Sequence, residues 1–291
     1  MNDLYITLPS SVRSVTHENT LADYIADLPY TVELDGDWEV GLVELSFTKS
    51  WYNIMTPQDV GLQLNELVTR RYMKPDKVMP GRCTEHQLID RVNELLKAHT
   101  NETVEITDSS TGNTIVVQKM IREFFNDIIE ESPKVTLNPI TRKATISLVQ
   151  DKDGCTFFPV LGEEISALLG FSEKDMTTAV IHENNRKVLE GSRAFDFEAG
   201  IYCIYVYSDV VKPVLIGDTS AACLRVCAIP SEKKFGENCT ISFNSPSYYP
   251  ISSRRFKSVR ITLKDKTNRK MPFQFGETLV KLHFRKKNGS L

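Results

Sequence analysis

Apolar and polar residues alternate in the first strand-like stretch of the chain. In "YTVELDGDWEV", Tyr30, Val32 and Leu34 share one parity, and Asp35-Gly36 separates this run from a second one. A period of two residues is typical of a half-buried β-strand, and Asp-Gly tolerates the positive φ angles of a tight turn. The pattern therefore predicts a β-hairpin across Asp35-Gly36.

The apolar parity changes inside the next run, "WEVGLVELSFT". Apolar residues occupy one parity from Trp38 to Leu42 and the other parity from Val43 to Phe47. A one-residue slip in a strand swaps its two faces, so we predict a bulge or bend at Gly41. A strand of this kind can bury its second half in another layer, as at the corners of sandwiches and barrels.

The last third of the chain contains several more strand-like runs. "GIYCIYVYS" is apolar at both parities, which predicts a strand covered on both faces. "ENCTISFN" and "ETLVKLHFRKK" alternate cleanly, the second with Val280, Leu282 and Phe284 inward and His283 outward. Short strands with non-helical connections predict a mainly β, two-sheet antiparallel architecture.

The middle of the chain has a different pattern. "CTEHQLIDRVNELLKAH" predicts a helix with a capping box formed by Thr84 and Gln87. "IVVQKMIREFFNDIIEESP" predicts a second amphipathic helix, Asn138-Pro139 a hairpin turn, and "GEEISALLGF" a short helix that ends at Gly170.

The chain thus divides into two predicted parts. Residues 58–178 are predicted to form an inserted α+β subdomain, and residues 1–57 and 179–291 a β-sandwich.

Composition and motifs give no indication of catalysis. The chain has 291 residues, 41% hydrophobic, and a net charge of −3, which argues against a protein that mainly neutralises nucleic acid. The N-terminus lacks the features of a signal peptide, and no apolar run reaches the length of a membrane span, so synthesis inside a cell is expected. The six cysteines form no CxxC pair and are interpreted as small buried hydrophobic residues.

Candidate catalytic and metal-binding residues are scattered. The five histidines form no HxH pair, and no GxSxG, P-loop or GxGxxG motif occurs. Glu163-Glu164 is interpreted as the acidic start of a helix, and Asp151 with Asp153 as a solvated turn rather than a calcium loop. We therefore expect no enzyme activity, no cofactor and no metal.

One basic stretch, "SSRRFKSVRITLKDKTNRKMPF", allows two interpretations. It is either a face that contacts an acidic partner or the solvent side of an antiparallel strand, where lysines guard an edge. The second interpretation is favoured, and direct binding of nucleic acid is not expected.

Several of these segments, in order, resemble one known family. "YITLPSSVRS…NTLADYIADLPYTVELDGDWEVGLVELSFTKSWYN", "YVYSDVVKPVLIGDTSAACLRVCAIP" and "YYPISSRRFKSVRITLKDKTNRKMPFQFGETLVKLHFRKK" are similar to the minor capsid (penton) proteins of Polinton/Maverick elements and adintoviruses. The resemblance covers roughly residues 4–55 and 200–287. Residues 266–269 depart from the more acidic, Gly-containing turn of that family.

The resemblance implies a single jelly-roll that forms homopentamers at the five-fold vertices of an icosahedral capsid. It implies a double jelly-roll major capsid protein as partner, location in the virion, and no membrane association. Trp38 is expected in the core, whereas Trp51 and Tyr52 end their strand and are predicted as anchors of the assembly interface.

Two alternatives stay open at this point. A lectin-like or cytokine-like jelly-roll binding module would assemble differently, for example as a trimer. A cupin-like metal enzyme would need converging histidines, which the sequence does not offer.

Overall fold

The computed structural model describes residues 3–65, 70–72, 75–99, 103–107, 114–120, 133–150, 156–178, 180–181 and 187–287. The chain divides into two compact units, Met1–Tyr52 with Ile201–Leu291, and Asn53–Gly200. The sequence placed these boundaries at 57/58 and 178/179, whereas the contacts assign residues 53–57 and 179–200 to the second unit.

The first unit contains only strands among its described elements. They are β1 (Asp3–Pro9), β2 (Asp23–Glu33), β3 (Trp38–Thr48), β15 (Cys203–Ser208), β16 (Val214–Ile216), β17 (Thr219–Ala221), β18 (Cys223–Ala228), β19 (Asn238–Ser242), β20 (Tyr248–Pro250), β21 (Arg255–Lys264) and β22 (Thr278–Lys286).

The second unit is mixed. Its described elements are β4 (Gln58–Asn65), β5 (Arg70–Tyr72), β6 (Asp76–Val78), α1 (Glu85–His99), β7 (Thr103–Thr107), β8 (Thr114–Met120), β9 (Lys134–Asn138), β10 (Lys143–Ser147), β11 (Val149–Gln150), β12 (Thr156–Leu161), α2 (Glu163–Leu169), β13 (Val180–Ile181) and β14 (Lys187–Glu190).

The first unit is an antiparallel jelly-roll. One sheet has the order β1-β22-β3-β19, with β20 also paired to β3, and the other has the order β18-β15-β21-β2. Counted along the chain, these eight main strands give the orders 1-8-3-6 and 5-4-7-2, which is the connectivity of two interleaved Greek keys. The mainly β fold predicted from the sequence is confirmed, and strands from both ends of the chain complete each sheet.

The turn at Asp35-Gly36 is not a hairpin. Gly36 has φ +91°, as the turn requires, but β2 pairs with β21 while β3 pairs with β22. The chain therefore crosses from one sheet to the other here, and the prediction of a hairpin was wrong. A local Asp-Gly signal specifies a reversal of direction and does not specify which sheet receives the next strand.

The parity change in β3 is a β-bulge, placed at Val43 rather than at Gly41. The register moves from Lys281 opposite Glu44 to Leu282 opposite Leu42, which leaves Val43 as the extra residue. The inward-facing side chains on both sides of the bulge belong to one core, namely Trp38, Val40, Leu42, Leu45 and Phe47. The bulge thus keeps a single strand facing one core, and the second half of the strand is not buried in another layer.

Two further predictions fail in part. In β15, Ile204 and Val206 are buried but the opposite face is only half-buried, so the strand is not covered on both sides. Residues 115–120, predicted as the beginning of a helix, belong to strand β8, which pairs with β7. Residues 121–132, the rest of that predicted helix, lie outside the described residues.

The other predicted elements of the second unit are present. Thr84 and Gln87 form the capping box of α1, with side chain to backbone distances of 3.3 and 3.0 Å. Leu88, Val92 and Leu96 of α1 are fully buried in the core of this unit. β9 and β10 form the hairpin around Asn138-Pro139, and α2 ends at Gly170 with φ +82°.

Candidate functional site

Trp51 lies in the core of the jelly-roll. Its ring is 1% exposed and packs 6.3 Å from the ring of Phe47 and 5.9 Å from the ring of Phe273. An interface anchor must present its ring to a neighbour, and Trp51 has no surface to present. The chain's own aromatic residues hold it in the same core that contains Trp38.

Tyr52, in contrast, belongs to an aromatic group at the surface. Its half-buried ring lies 6.2 Å from the ring of Phe235, which makes an edge-to-face contact with Phe275 at 5.7 Å. Phe235 is 38% exposed and Phe275 is 47% exposed. We call Tyr52, Phe235 and Phe275 the aromatic platform.

The platform is built by three neighbouring strands of one sheet. Tyr52 follows the end of β3, Phe235 precedes β19, and Phe275 precedes β22, and β19 and β22 both pair with β3. The tripeptide Phe-Gly-Glu occurs at 235–237 and again at 275–277, so the sequence contains the signal that would have located the platform. The repeat is not visible within any single run of residues, because its two copies lie about 40 residues apart.

Both glycines of this tripeptide are required by the backbone. Gly236 has φ +86° and Gly276 has φ +99°, a region that residues with a Cβ rarely adopt. At Gly276 a Cβ atom would also collide with the side chain of Thr48, while no atom blocks Gly236.

Hydrogen bonds fix the platform to the end of the sheet. Ser50 Oγ donates to the carbonyl oxygen of Phe275 at 2.7 Å. The backbone N–H of Gly236 donates to the carbonyl of Lys49 at 2.9 Å, and the N–H of Lys49 donates to the carbonyl of Glu237 at 2.9 Å. Because both turns are bonded to the segment after β3, the backbone that carries the exposed rings is ordered before contact with a partner.

The jelly-roll also contains a buried carboxylate. Asp23, with a side chain 1% exposed, accepts hydrogen bonds from Arg260 Nε and Nη2 at 2.9 and 2.8 Å, and Lys270 Nζ lies 2.7 Å from its Oδ2. Burial alone would raise the pKa of Asp23, but the hydrogen bonds and charges of Arg260 and Lys270 hold it well below its ordinary value. The group is an ionised structural link between β2, β21 and the following turn.

His283 faces away from the core, as predicted, but is covered rather than exposed to solvent. Its ring stacks on Tyr5 at 4.3 Å, and its two nitrogens lie 2.8 Å from Tyr248 Oη and 3.0 Å from Asp3 Oδ1. These contacts link β1 and β20 to β22 on the outer face of the sheet.

Glu164 and two of the cysteines considered in the sequence analysis make contacts that stabilise the fold. Glu164 accepts hydrogen bonds from the backbone N–H groups of Met55 and Thr56, at 2.6 and 3.3 Å. Burial raises the pKa of the Cys223 thiol to about 11 and of the Cys227 thiol to about 12, so both stay protonated at neutral pH. Cys155, Asp151, Asp153 and His182 lie outside the described residues.

No group of three or more His, Cys, Asp or Glu side chains within the described residues is arranged to hold a metal ion. Over the same residues, no helix is both long and apolar enough to cross a membrane.

Most of the basic stretch is paired with the chain's own carboxylates. Besides Arg260 and Lys270, the partners are Asp37 for Arg254 at 2.8 Å, Glu33 for Arg255 at 3.1 Å and Asp265 for Arg269 at 3.1 Å. This pairing favours the interpretation of the stretch as a solvated strand face over a field directed at an acidic partner.

Comparisons with known proteins return similar solved structures. No family model matches the chain, and no curated protein matches it significantly. The mavirus penton protein is 13% identical with a TM-score of 0.48, over 98% of this chain and 99% of that one. A chain from the 3.5 Å cryo-electron-microscopy structure of the Sputnik virophage is 10% identical with a TM-score of 0.48, over 98% of each chain. At these values neither likeness assigns a function to this chain.

Proposed function

We propose that this protein is a minor capsid (penton) protein that forms homopentamers at the five-fold vertices of an icosahedral capsid. In this role it is structural rather than catalytic, and its partners are its own copies and a double jelly-roll major capsid protein. Its place is the virion, and it uses no cofactor.

One observation supports this proposal more than any other. The segments that resemble Polinton/Maverick penton proteins, roughly residues 4–55 and 200–287, are the segments that build the jelly-roll unit, Met1–Tyr52 with Ile201–Leu291. "WEVGLVELSFT" is strand β3, and "LHF" lies within β22, its neighbour. A rigid antiparallel sandwich with a fixed surface group suits closed cyclic association of identical chains.

Within this proposal Tyr52 remains an assembly anchor. Its ring is part of the exposed aromatic platform, as an anchor requires, and aromatic side chains are enriched among the residues that dominate interface energies.

The oligomeric state of the purified full-length chain tests the proposal. Mass photometry and negative-stain electron microscopy are expected to show closed rings of five copies. Stable trimers would favour the cytokine-like alternative, and a chain that remains monomeric at every accessible concentration would contradict the vertex role.

A further inference from the structure

The rings of Phe235 and Phe275 in the aromatic platform remain partly exposed in the chain. We propose that the platform is the surface through which identical copies of this chain contact one another. This inference rests on the capsid role proposed above and adds to it the contact residues, two of which the sequence analysis did not identify.

The apolar character of the platform indicates a protein partner. The ring of Phe235 contacts both the ring of Tyr52 and the ring of Phe275, so the three form one apolar cluster at the surface. Leu215 on the β16–β17 hairpin is also exposed, but it is an aliphatic side chain and makes no ring contact among the described residues. Clustered, rigid aromatic side chains are typical of the centre of an interface, whereas single exposed apolar residues are ordinary.

The charges around the platform favour a second copy of the chain as that partner. The two turns that carry the rings contribute Lys233 and Lys234, together with Glu232, Glu237 and Glu277. A strongly acidic partner such as nucleic acid, or a strongly basic one, finds no complementary field over such a mixed set. An identical mixed set on a neighbour provides both signs.

The arrangement of the turns is compatible with a ring. In a closed ring, the same patch of every copy can meet its counterparts where it lies next to the rotation axis. Phe235 lies between Tyr52 and Phe275, with ring centroids 6.2 and 5.7 Å away, so the platform is one compact patch. Such a patch beside the axis would bring the exposed phenylalanines of neighbouring copies together.

The test uses a double variant that carries both Phe235→Ser and Phe275→Ser. Its control is the single variant Leu215→Ser. Leu215 is 84% exposed, more than either phenylalanine, and lies outside the platform. Mass photometry over a dilution series measures the dissociation of the oligomer, and near-ultraviolet circular dichroism with thermal unfolding checks that each variant is folded. We expect the double variant to dissociate at concentrations at least about tenfold higher than the wild type, and the control to match the wild type.

The outcomes separate this inference from the proposed function. If the folded double variant forms pentamers over the same concentration range as the wild type, the platform is not the contact and the capsid role stands. If Leu215→Ser dissociates the oligomer and the double variant does not, the contact lies on the hairpin instead. A wild-type chain that never associates overturns both.

Discussion

At the scale of single residues, Asp23 shows how the jelly-roll tolerates a buried charge. Its carboxylate has almost no contact with solvent. Two basic side chains bind it, and these are themselves about half exposed, Arg260 at 46% and Lys270 at 57%. We expect Asp23→Asn to destabilise the protein by about 2–3 kcal/mol, because charge-assisted hydrogen bonds are lost while the two bases can return to water. Urea unfolding measures this change. Asp27→Asn, at an exposed position of the same strand, is the control, and an equal loss there would contradict the assignment.

The same carboxylate makes stability depend on pH. The folded-state pKa of Asp23 is lowered. The pKa of Asp175 is also lowered, to about 2, because hydrogen bonds from Ser172 and Ser192 outweigh the opposing effect of burial. A lowered folded-state pKa contributes stability above the unfolded value of about 3.9, and this contribution is lost as the pH falls. The free energy of unfolding should therefore decrease from about pH 5 downward. Asp23→Asn should show a shallower decrease, and parallel curves for the two proteins would refute the linkage.

At the scale of elements, the sequence predicted what depends on neighbouring residues and missed what depends on distant ones. The capping box of α1, the hairpin at Asn138-Pro139 and the stop at Gly170 were predicted because each signal is complete within a few residues. The Asp35-Gly36 turn was misread because only the pairing partners of β2 and β3 reveal a crossing between sheets. Part of the platform was missed for the same reason, since its two phenylalanines precede strands that meet only through β3.

The turn before β22 provides a test of that dependence on distant residues. Gly276→Ala should cost about 2–4 kcal/mol, because the positive φ is strained for alanine and the added Cβ meets Thr48 across the sheet. Gly217→Ala, also at a positive φ of +61° but in open space, should cost only about 1 kcal/mol. Thermal unfolding of both variants measures the difference. Equal losses would show that the contact with Thr48 has no effect.

Strand β21 carries bases of two kinds, and charge reversal should separate them. Arg254, just before the strand, and Arg255, its first residue, have side chains 63% and 76% exposed, and their ion pairs are at the surface. Arg254→Glu and Arg255→Glu should each change stability by less than about 1 kcal/mol. Arg260→Glu places a second carboxylate against buried Asp23 and should lower the melting temperature far more. A large loss at Arg254 or Arg255 would contradict their placement at the surface.

At the scale of the whole molecule, the two ends of the chain depend on each other for folding. Every described pairing of β1 and β3 is with a strand from the final third of the chain, and β2 pairs with β21. Residues 53–200 form a separate core, with Asn53 Nδ2 donating to the carbonyl oxygens of Cys83 and Phe197 at 2.8 and 3.2 Å. Asn53, the first residue of the inserted unit, therefore binds to residues of the same unit. The described strands of the inserted unit take no part in either sheet of the jelly-roll.

This independence predicts the outcome of a deletion. Replacing residues 53–200 by a flexible Gly/Ser linker should leave a soluble jelly-roll that unfolds cooperatively, because all its strand pairs and its core remain. A chain that ends at Gly200 should lose the jelly-roll, since β1, β2 and β3 then lack β21 and β22, while the inserted unit keeps its fold. Near-ultraviolet circular dichroism and calorimetry distinguish the two products. An aggregated linker variant would show that the jelly-roll requires the insertion, and a folded N-terminal segment in the truncated chain would show that the sheets do not need both ends of the chain.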